Sequence, residues 1–158
     1  MQKLFAFLAL VSVVALATAA AAGATTTVSW QATFPEVFGG PISSPFSCAP
    51  GTSCGSGQVV PFGQAQDVIV FNGCGGGCDV RTLTFDDGST IVMHESGSNP
   101  SEPGGFNPKS YGNPFRLDLS DTIVGGSGRF AGATGTATGE VKVDGGLALI
   151  TLSGTITF

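Results

Sequence analysis

The chain has 158 residues, of which 25 are glycine and 9 are proline, and its 6 basic and 11 acidic side chains give a formal net charge of −5 at pH 7. This length fits one small domain. The acidic balance excludes the basic surface of a nucleic-acid-binding protein, so no nucleic acid is expected as a partner.

The N-terminal segment has the pattern of a secretory signal. Lys3 precedes an apolar run over residues 4–16, and small residues follow at 17–24. A short apolar run with an alanine-rich end is typical of a cleaved signal peptide rather than of a membrane anchor. We therefore predict a signal peptide at 1–22 and a mature domain at 23–158. The mature protein is expected to be secreted and extracellular, or to lie in the periplasm or cell envelope, with no stable membrane span after cleavage.

The mature domain is predicted to be all-β. Glycine, proline and β-branched residues interrupt nearly every run that is long enough for a helix. Apolar and polar residues alternate over 148–158 and over 136–143, and the turn sequence Asp144-Gly145-Gly146 lies between them, so we expect a hairpin from about 136 to 158. Further strands are predicted at 25–34, 67–71, 79–85, 89–95 and 115–124; a strand at 58–62 decides whether the total is seven or eight.

Two proline-rich stretches interrupt these strands. They span 35–57 and 96–114, and both are predicted to be long loops. The strands between them predict a single antiparallel β-barrel domain, with a β-sandwich as the alternative.

The four cysteines form an even set in a chain that is expected to be exported, so two disulfides are predicted. The pairing Cys48–Cys54 with Cys74–Cys78 is preferred because each pair is close in sequence, while the crossed pairings stay open. No metal site is predicted, because the chain has one histidine and neither cysteine spacing is usual for zinc. No cofactor is expected either.

A glycine-rich segment lies between the strand at 115–124 and the C-terminal hairpin. Its spacing is GxGxxxG and no predicted helix follows it, so it does not fit a dinucleotide-binding loop. We interpret the segment as a structural turn with a buried phenylalanine, in which glycine permits positive φ and close backbone approach. The residues concerned are Gly125, Gly126, Gly128, Phe130 and Gly132.

Residues 122–135, with the hairpin that follows, resemble the Gly-Gly-Ser/Thr-Gly-x-Phe segment of the allene oxide cyclase and dirigent barrels. The chain also resembles a group of secreted bacterial proteins without established function, which share the Cys-Gly-Gly-Gly-Cys-Asp and Asp-Gly-Ser segments. The resemblance covers mainly 122–158, covers 74–95 more weakly, and does not reach the N-terminal third.

This resemblance implies an eight-stranded antiparallel barrel with an apolar cavity, and a homo-oligomer, often a trimer. It carries no catalytic residue to this chain, so the catalytic residues are unknown. An isomerase or cyclase activity, or guidance of a coupling reaction, is therefore an expectation by analogy alone.

The most polar candidate site comprises Arg81, His94 and Glu95. Arg81 shares one face of its predicted strand with Leu83 and Phe85, and a buried arginine needs a partner. A two-residue turn would place Arg81 opposite His94, whereas a three-residue turn ending at Gly88 would place it opposite Met93 and would bring Asp79 opposite Glu95. The alternative to a ligand-binding site is an ordinary cross-strand pair at the rim of the barrel.

Two functions are expected from these observations. A disulfide-stabilised barrel can bind a small apolar or amphipathic ligand in its lumen, or it can serve as a non-catalytic extracellular module. The alternatives are a cyclase or a dirigent-type guiding protein and, because the last strand alternates and ends in Phe158, an outer-membrane barrel.

Overall fold

A computed structural model describes residues 25–38, 48–98, 115–144 and 147–158. The predicted signal peptide and parts of both predicted loops lie outside these residues. Within the part of the chain that is described, no helix is long and apolar enough to cross a membrane.

Eight strands form a closed barrel in which each strand pairs with its neighbours in sequence and the last strand pairs with the first. All pairs are antiparallel. This confirms the predicted eight-stranded barrel, and because the sheet closes on itself the alternative of a β-sandwich is wrong. The strands are β1 (Thr27–Phe38), β2 (Thr52–Val60), β3 (Gly63–Gly75), β4 (Cys78–Phe85), β5 (Thr90–Ser98), β6 (Phe115–Ser127), β7 (Thr134–Asp144) and β8 (Leu147–Thr157).

The first predicted loop, at 35–57, is shorter than expected, because β1 continues through Pro35 and β2 already begins at Thr52. Proline lacks an N–H donor and usually ends a strand that has neighbours on both sides. Here the β1–β8 ladder runs through Pro35, while the β1–β2 ladder covers Gln31–Thr33 and resumes at Glu36. In the second predicted loop, at 96–114, β5 likewise extends to Ser98.

Period-2 alternation places one face of each strand in the lumen. On β1 the residues Trp30, Ala32 and Phe34 are buried, while Gln31 and Thr33 are exposed. The same alternation on the other strands fills the lumen with apolar side chains, including Leu83, Ile91, Met93, Leu119, Ile123, Ile150, Leu152 and Ile156. The core of the domain is therefore the lumen itself.

Four phenylalanines close one end of the barrel, which we call the aromatic end. The ring of Phe130 is fully buried, and its centroid lies 5.0 Å from that of Phe85, 5.1 Å from Phe62 and 5.2 Å from Phe158. Arg129 covers this cluster from outside, with its guanidinium carbon 4.8 Å from the Phe85 centroid. The buried position expected for Phe130 is therefore observed.

The glycine segment makes the turn that delivers Phe130 to this end. Gly128 has φ +60°, and an added Cβ would lie 2.5 Å from the Ser89 hydroxyl oxygen. At Gly126 an added Cβ would lie 2.4 Å from the carbonyl oxygen of Thr90. Glycine is needed at both positions, as predicted. Gly125 differs, because an added Cβ there would meet nothing within 4 Å and its φ is not positive.

The opposite end, which we call the disulfide end, carries both disulfides. The bonds join Cys48 to Cys54, with 5.7 Å between the Cα atoms, and Cys74 to Cys78, with 5.2 Å between them. This is the pairing that the sequence favours. Two disulfides indicate a chain that folds in an oxidising compartment.

Candidate functional site

A layer of charged side chains interrupts the apolar lumen on the side of the disulfide end. We call it the Arg81 cluster, and its members are Glu36, Asp67, Arg81, Glu95 and Asp121. All five are buried, and Arg81 and Asp67 are completely so. Buried ionisable groups are rare in a protein core and are costly unless they are paired, so this layer is the most unusual feature of the described lumen.

Strand register explains why these groups meet. Glu36 lies opposite Gly55, which lies opposite Asp67, so two carboxyl groups stand in one row across β1 to β3. Glu95 lies opposite both Asp79 and Asp121, which forms a second row across β4 to β6. The side chain of Arg81 reaches acidic groups of both rows.

Gly55 makes room for Glu36. A Cβ at Gly55 would lie 3.0 Å from Cγ of Glu36 and 2.1 Å from the carbonyl oxygen of Pro35. Because Gly55 has no side chain, the β1 backbone can approach β2 closely at this point. Glu36, which follows the inward phase of Phe34, therefore has room in the lumen. Its Oε2 then accepts a hydrogen bond of 2.6 Å from the Ser53 hydroxyl.

The turn between β4 and β5 fixes the position of Glu95. Phe85 and Ser89 close a three-residue turn through the bond from Phe85 N–H to Ser89 O, and Gly88 has φ +79°. Of the two registers left open by the sequence, this turn selects the one that sets Arg81 opposite Met93 and Asp79 opposite Glu95.

Arg81 forms ion pairs with three carboxylates. Its Nε donates to Oε2 of Glu95 at 2.8 Å, and its Nη1 donates to Oε1 of Glu36 at 2.9 Å and also to Oδ2 of Asp67. The pairs span β1, β3, β4 and β5. Arg81 therefore ties both sides of the barrel together across its interior.

The pairing leaves several buried atoms without a hydrogen-bond partner among the described residues. They are Nη2 of Arg81, Oδ1 of Asp67 and both carboxyl oxygens of Asp121. A buried polar atom without a partner costs about 1–3 kcal/mol, so native proteins usually satisfy it or use it. The cluster thus presents both a donor and several oxygens to any group that reaches it.

Burial changes the protonation of the cluster. It raises the pKa of Asp121 to about 8, and the nearby charge of Glu95 adds to this effect. Burial also raises the pKa of Asp67 well above its usual range, against the opposing attraction of Arg81. Burial lowers the pKa of Arg81, but its three carboxylate partners together offset this and leave that pKa raised. At neutral pH Asp121 is therefore mostly protonated, and Arg81 is charged.

A small cavity of about 50 Å³ borders the cluster. Its polar wall comprises Glu36, Asp79, Arg81 and Glu95, and the rest of its lining includes Ile69, Gly97, Leu117, Leu119, Val141, Val143 and Ile150. Gly97 is exposed and Asp79 is half-buried, so the cavity lies toward the surface at the disulfide end. The site combines one charged wall with one apolar wall.

The structure brings together two of the three predicted site residues. Arg81 and Glu95 are hydrogen-bonded in the lumen, whereas His94 follows the opposite phase of β5 and is exposed on the outer face. His94 is therefore not part of the site that contains Arg81 and Glu95. Whether Arg81 and Glu95 bind a ligand stays a prediction.

The sequence interpretation missed Glu36, Asp67 and Asp121. Asp121 follows Leu117 and Leu119 at spacings of two, which is the signal that could have placed it inside. Glu36 continues the phase of Phe34, but the predicted strand ended before Pro35.

A scan against protein-family models and a search of curated proteins found no match. Among solved structures, the chain is similar to that of a pterocarpan synthase dirigent protein, with 19% sequence identity, a TM-score of 0.49, and coverage of 84% of this chain and 85% of that one.

Proposed function

We propose that the protein is an exported, disulfide-stabilised barrel that binds the hydroxyl group of a small amphipathic molecule at the Arg81 cluster. The observation that carries this proposal is the cavity, which Arg81 lines together with apolar side chains that include Leu117 and Val141. Nη2 of Arg81 has no hydrogen-bond partner among the described residues. Ligand sites typically combine apolar walls with a few polar groups that fix orientation.

The chemistry of the cluster favours a neutral hydroxyl over a carboxylate. A hydroxyl can accept from Nη2 of Arg81 and donate to an acidic oxygen at the same time. A carboxylate ligand would add a negative charge beside acidic side chains that already outnumber the one arginine. Such a charge would be buried without a free cation among the described residues to pair with it.

The volume sets the size of the group that can enter. At about 50 Å³ the cavity is far smaller than the roughly 300–1,000 Å³ of ordinary ligand pockets. The cavity therefore holds the polar head of a ligand, and the apolar remainder lies at the disulfide end. This is also why we assign no catalytic residue and propose neither a cyclase nor a guiding role.

Two alternatives fare differently. A non-catalytic extracellular module is favoured by the lumen itself, which side chains fill from the Arg81 cluster to the aromatic end. An outer-membrane barrel is disfavoured, because such barrels have an apolar outer band and a polar interior. In this barrel Ser29, Gln31 and Thr33 point outward, while Trp30 and Phe34 point inward.

The first experiment is native mass spectrometry of the oxidised protein purified from its host, followed by extraction of any bound compound. A single neutral, hydroxyl-bearing compound at one copy per chain is the expected result. Titration by NMR with phenol, and with benzoate as its negatively charged match, then tests the chemistry. We expect saturable shifts with phenol and at least tenfold weaker binding of benzoate.

Gly97→Val tests whether the cavity is the site. Gly97 lines the cavity, and a Cβ there would lie 3.3 Å from Cδ1 of Leu117, so a valine narrows the cavity beside its apolar wall. Phenol binding should weaken at least tenfold, whereas the control Gly125→Val, at an open position, should bind as the wild type does. Equal binding by both variants would reject the site. An empty protein that also binds neither probe would instead support the non-catalytic module.

A further inference from the structure

The outer face of the disulfide end holds a second group of side chains with ligand chemistry, which we call the His94 group. The sulfurs of Cys74 and Cys78 and a ring nitrogen of His94 all lie within 4.8 Å of one another. His94 is the single histidine of the chain, and it is exposed. Its position beside a disulfide follows from the β4–β5 register, in which it lies opposite Val80, two residues after Cys78.

This disulfide lies at the tip of a hairpin, beyond the main run of ladder pairs. The β3–β4 partners run from Ala65 to Val70, the register then shifts, and only Gly75 and Cys78 pair beyond that shift. Opening the Cys74–Cys78 bond therefore leaves the barrel ladder intact. Cys54, by contrast, pairs with Val37 on one side and with Val68 on the other.

The glycines between the two cysteines allow the tip to adjust. Gly75, Gly76 and Gly77 have φ values of +77°, +65° and +83°, and an added Cβ on any of them would meet nothing within 4 Å. The tip is thus surrounded by open space. With 5.2 Å between their Cα atoms, the two cysteines are close enough for both sulfurs to bind one ion.

We propose that the reduced Cys74–Cys78 pair and His94 form a zinc-binding site. The site cannot bind zinc while the disulfide is intact. A dithiol reductant transfers two electrons and two protons to the disulfide, and becomes a disulfide itself. The resulting thiols then release two protons as two Zn–S bonds and one Zn–N bond form. Solvent takes up these protons.

The ligand set and its dimensions fit this ion. Zinc is bound by cysteine at about 2.3 Å and by histidine at about 2.0–2.1 Å, so tetrahedral ligands lie roughly 3.5–3.8 Å apart. After reduction the two sulfurs, which the disulfide holds at bonding distance, move apart, and the ring nitrogen of His94, within 4.8 Å of both, moves closer. Side-chain rotation at an exposed tip can supply both changes. Three protein ligands leave the fourth position to water, which is the pattern of an open zinc site.

The spacing of the cysteines gives no sign of this site. Three residues separate Cys74 from Cys78, and the third ligand comes from β5, through a register that the sequence left undecided. The prediction that the chain has no metal site considered only the spacing and the count of histidines.

Zinc binding is tested on the folded chain with and without a phosphine reductant. Native mass spectrometry counts the bound zinc, and Co²⁺ spectra report tetrahedral thiolate ligation. We expect one zinc per reduced chain and none on the oxidised chain. Affinity should fall at least 100-fold in Cys74→Ser/Cys78→Ser and at least tenfold in His94→Gln, while Thr122→Gln, opposite His94 on β6, is the control that should bind normally.

Three results would overturn the proposal. They are no zinc on the reduced chain, unchanged affinity in His94→Gln, and unchanged affinity in Cys74→Ser/Cys78→Ser, which would place the metal on the other cysteine pair. If reduction unfolds the barrel, Cys74→His/Cys78→His is tested with the Cys48–Cys54 bond intact. Zinc binding by that variant that depends on His94 supports the site, and failure to bind zinc rejects it.

Discussion

The two ends of the barrel differ in the side chains that they bury: one buries aromatic rings and the other buries ionisable groups. At the aromatic end, three phenylalanine rings pack around Phe130 and leave no ionisable group inside the described core. Toward the disulfide end, four acidic side chains surround Arg81, and several of their buried oxygens have no partner among the described residues. The same eight strands therefore carry one end that is optimised for packing and one that is not.

This difference separates stability from function. Burial of apolar side chains stabilises a fold at any pH. A buried ionic cluster costs desolvation energy that its ion pairs only partly offset. A protein that needed the barrel alone would be served as well by an apolar layer at Arg81. The retained cluster is therefore where binding is expected, and its energetics should depend on pH.

Removal of Phe130 should give the largest loss of stability. Phe130→Ala deletes a fully buried ring that touches three others, so the free energy of unfolding should fall by about 3–5 kcal/mol. Urea denaturation followed by circular dichroism measures it. Phe62→Ala, at a half-buried position of the same cluster, is the control and should lose less. Equal losses would mean that Phe130 is not the centre of the phenylalanine cluster at the aromatic end.

The Arg81 cluster should make stability fall as pH rises. The pKa of Asp121 is about 8 in the folded chain and roughly 3.9 when unfolded, so between these values the folded state holds a proton that the unfolded state has released. The free energy of unfolding then decreases with pH, by up to about 1.4 kcal/mol per pH unit for one group. Asp121→Asn should flatten this slope and raise stability at pH 8.

Asp118→Asn is the matched control for this pH dependence. Asp118 is on the same strand but points outward, where it pairs with Arg116. Urea denaturation at several pH values compares both variants with the wild type. If Asp118→Asn flattened the slope as much as Asp121→Asn did, the pH dependence would belong to the surface and not to the cluster.

The sequence predicted the barrel, with a β-sandwich as the alternative, but it did not predict the cluster. Alternation placed Arg81 on the inner face with Leu83, and local spacing suggested both disulfides, because these features depend on neighbours in the chain. The three-residue turn at Gly88 was one of two choices, and only the hydrogen bond between Phe85 and Ser89 decides between them.

The remaining members of the cluster depend on closure of the sheet. Glu36 reaches Arg81 only because β1 and β4 face each other across the lumen, 45 residues apart in the chain. The predicted first strand stopped before Pro35, because proline is rare within a paired strand and is read from sequence as a strand end. The residues of β1 after Phe34, including Glu36, were therefore missed. Asp67 and Asp121 had the correct phase, but an acidic residue is ordinarily assigned to the surface.

Arg129 gives the smallest expected effect and tests whether the aromatic end depends on any charge. Its guanidinium lies 4.8 Å from the Phe85 centroid and 4.9 Å from that of Phe130, and it donates to the carbonyl oxygen of Phe62 at 2.9 Å. Because the side chain is 41% exposed, Arg129→Ala should cost only about 0.5–1 kcal/mol in urea denaturation. Arg129→Lys should recover part of this loss, since an ammonium also interacts with an aromatic face. A loss as large as that of Phe130→Ala would show that both ends rely on arginine, and the contrast between them would fail.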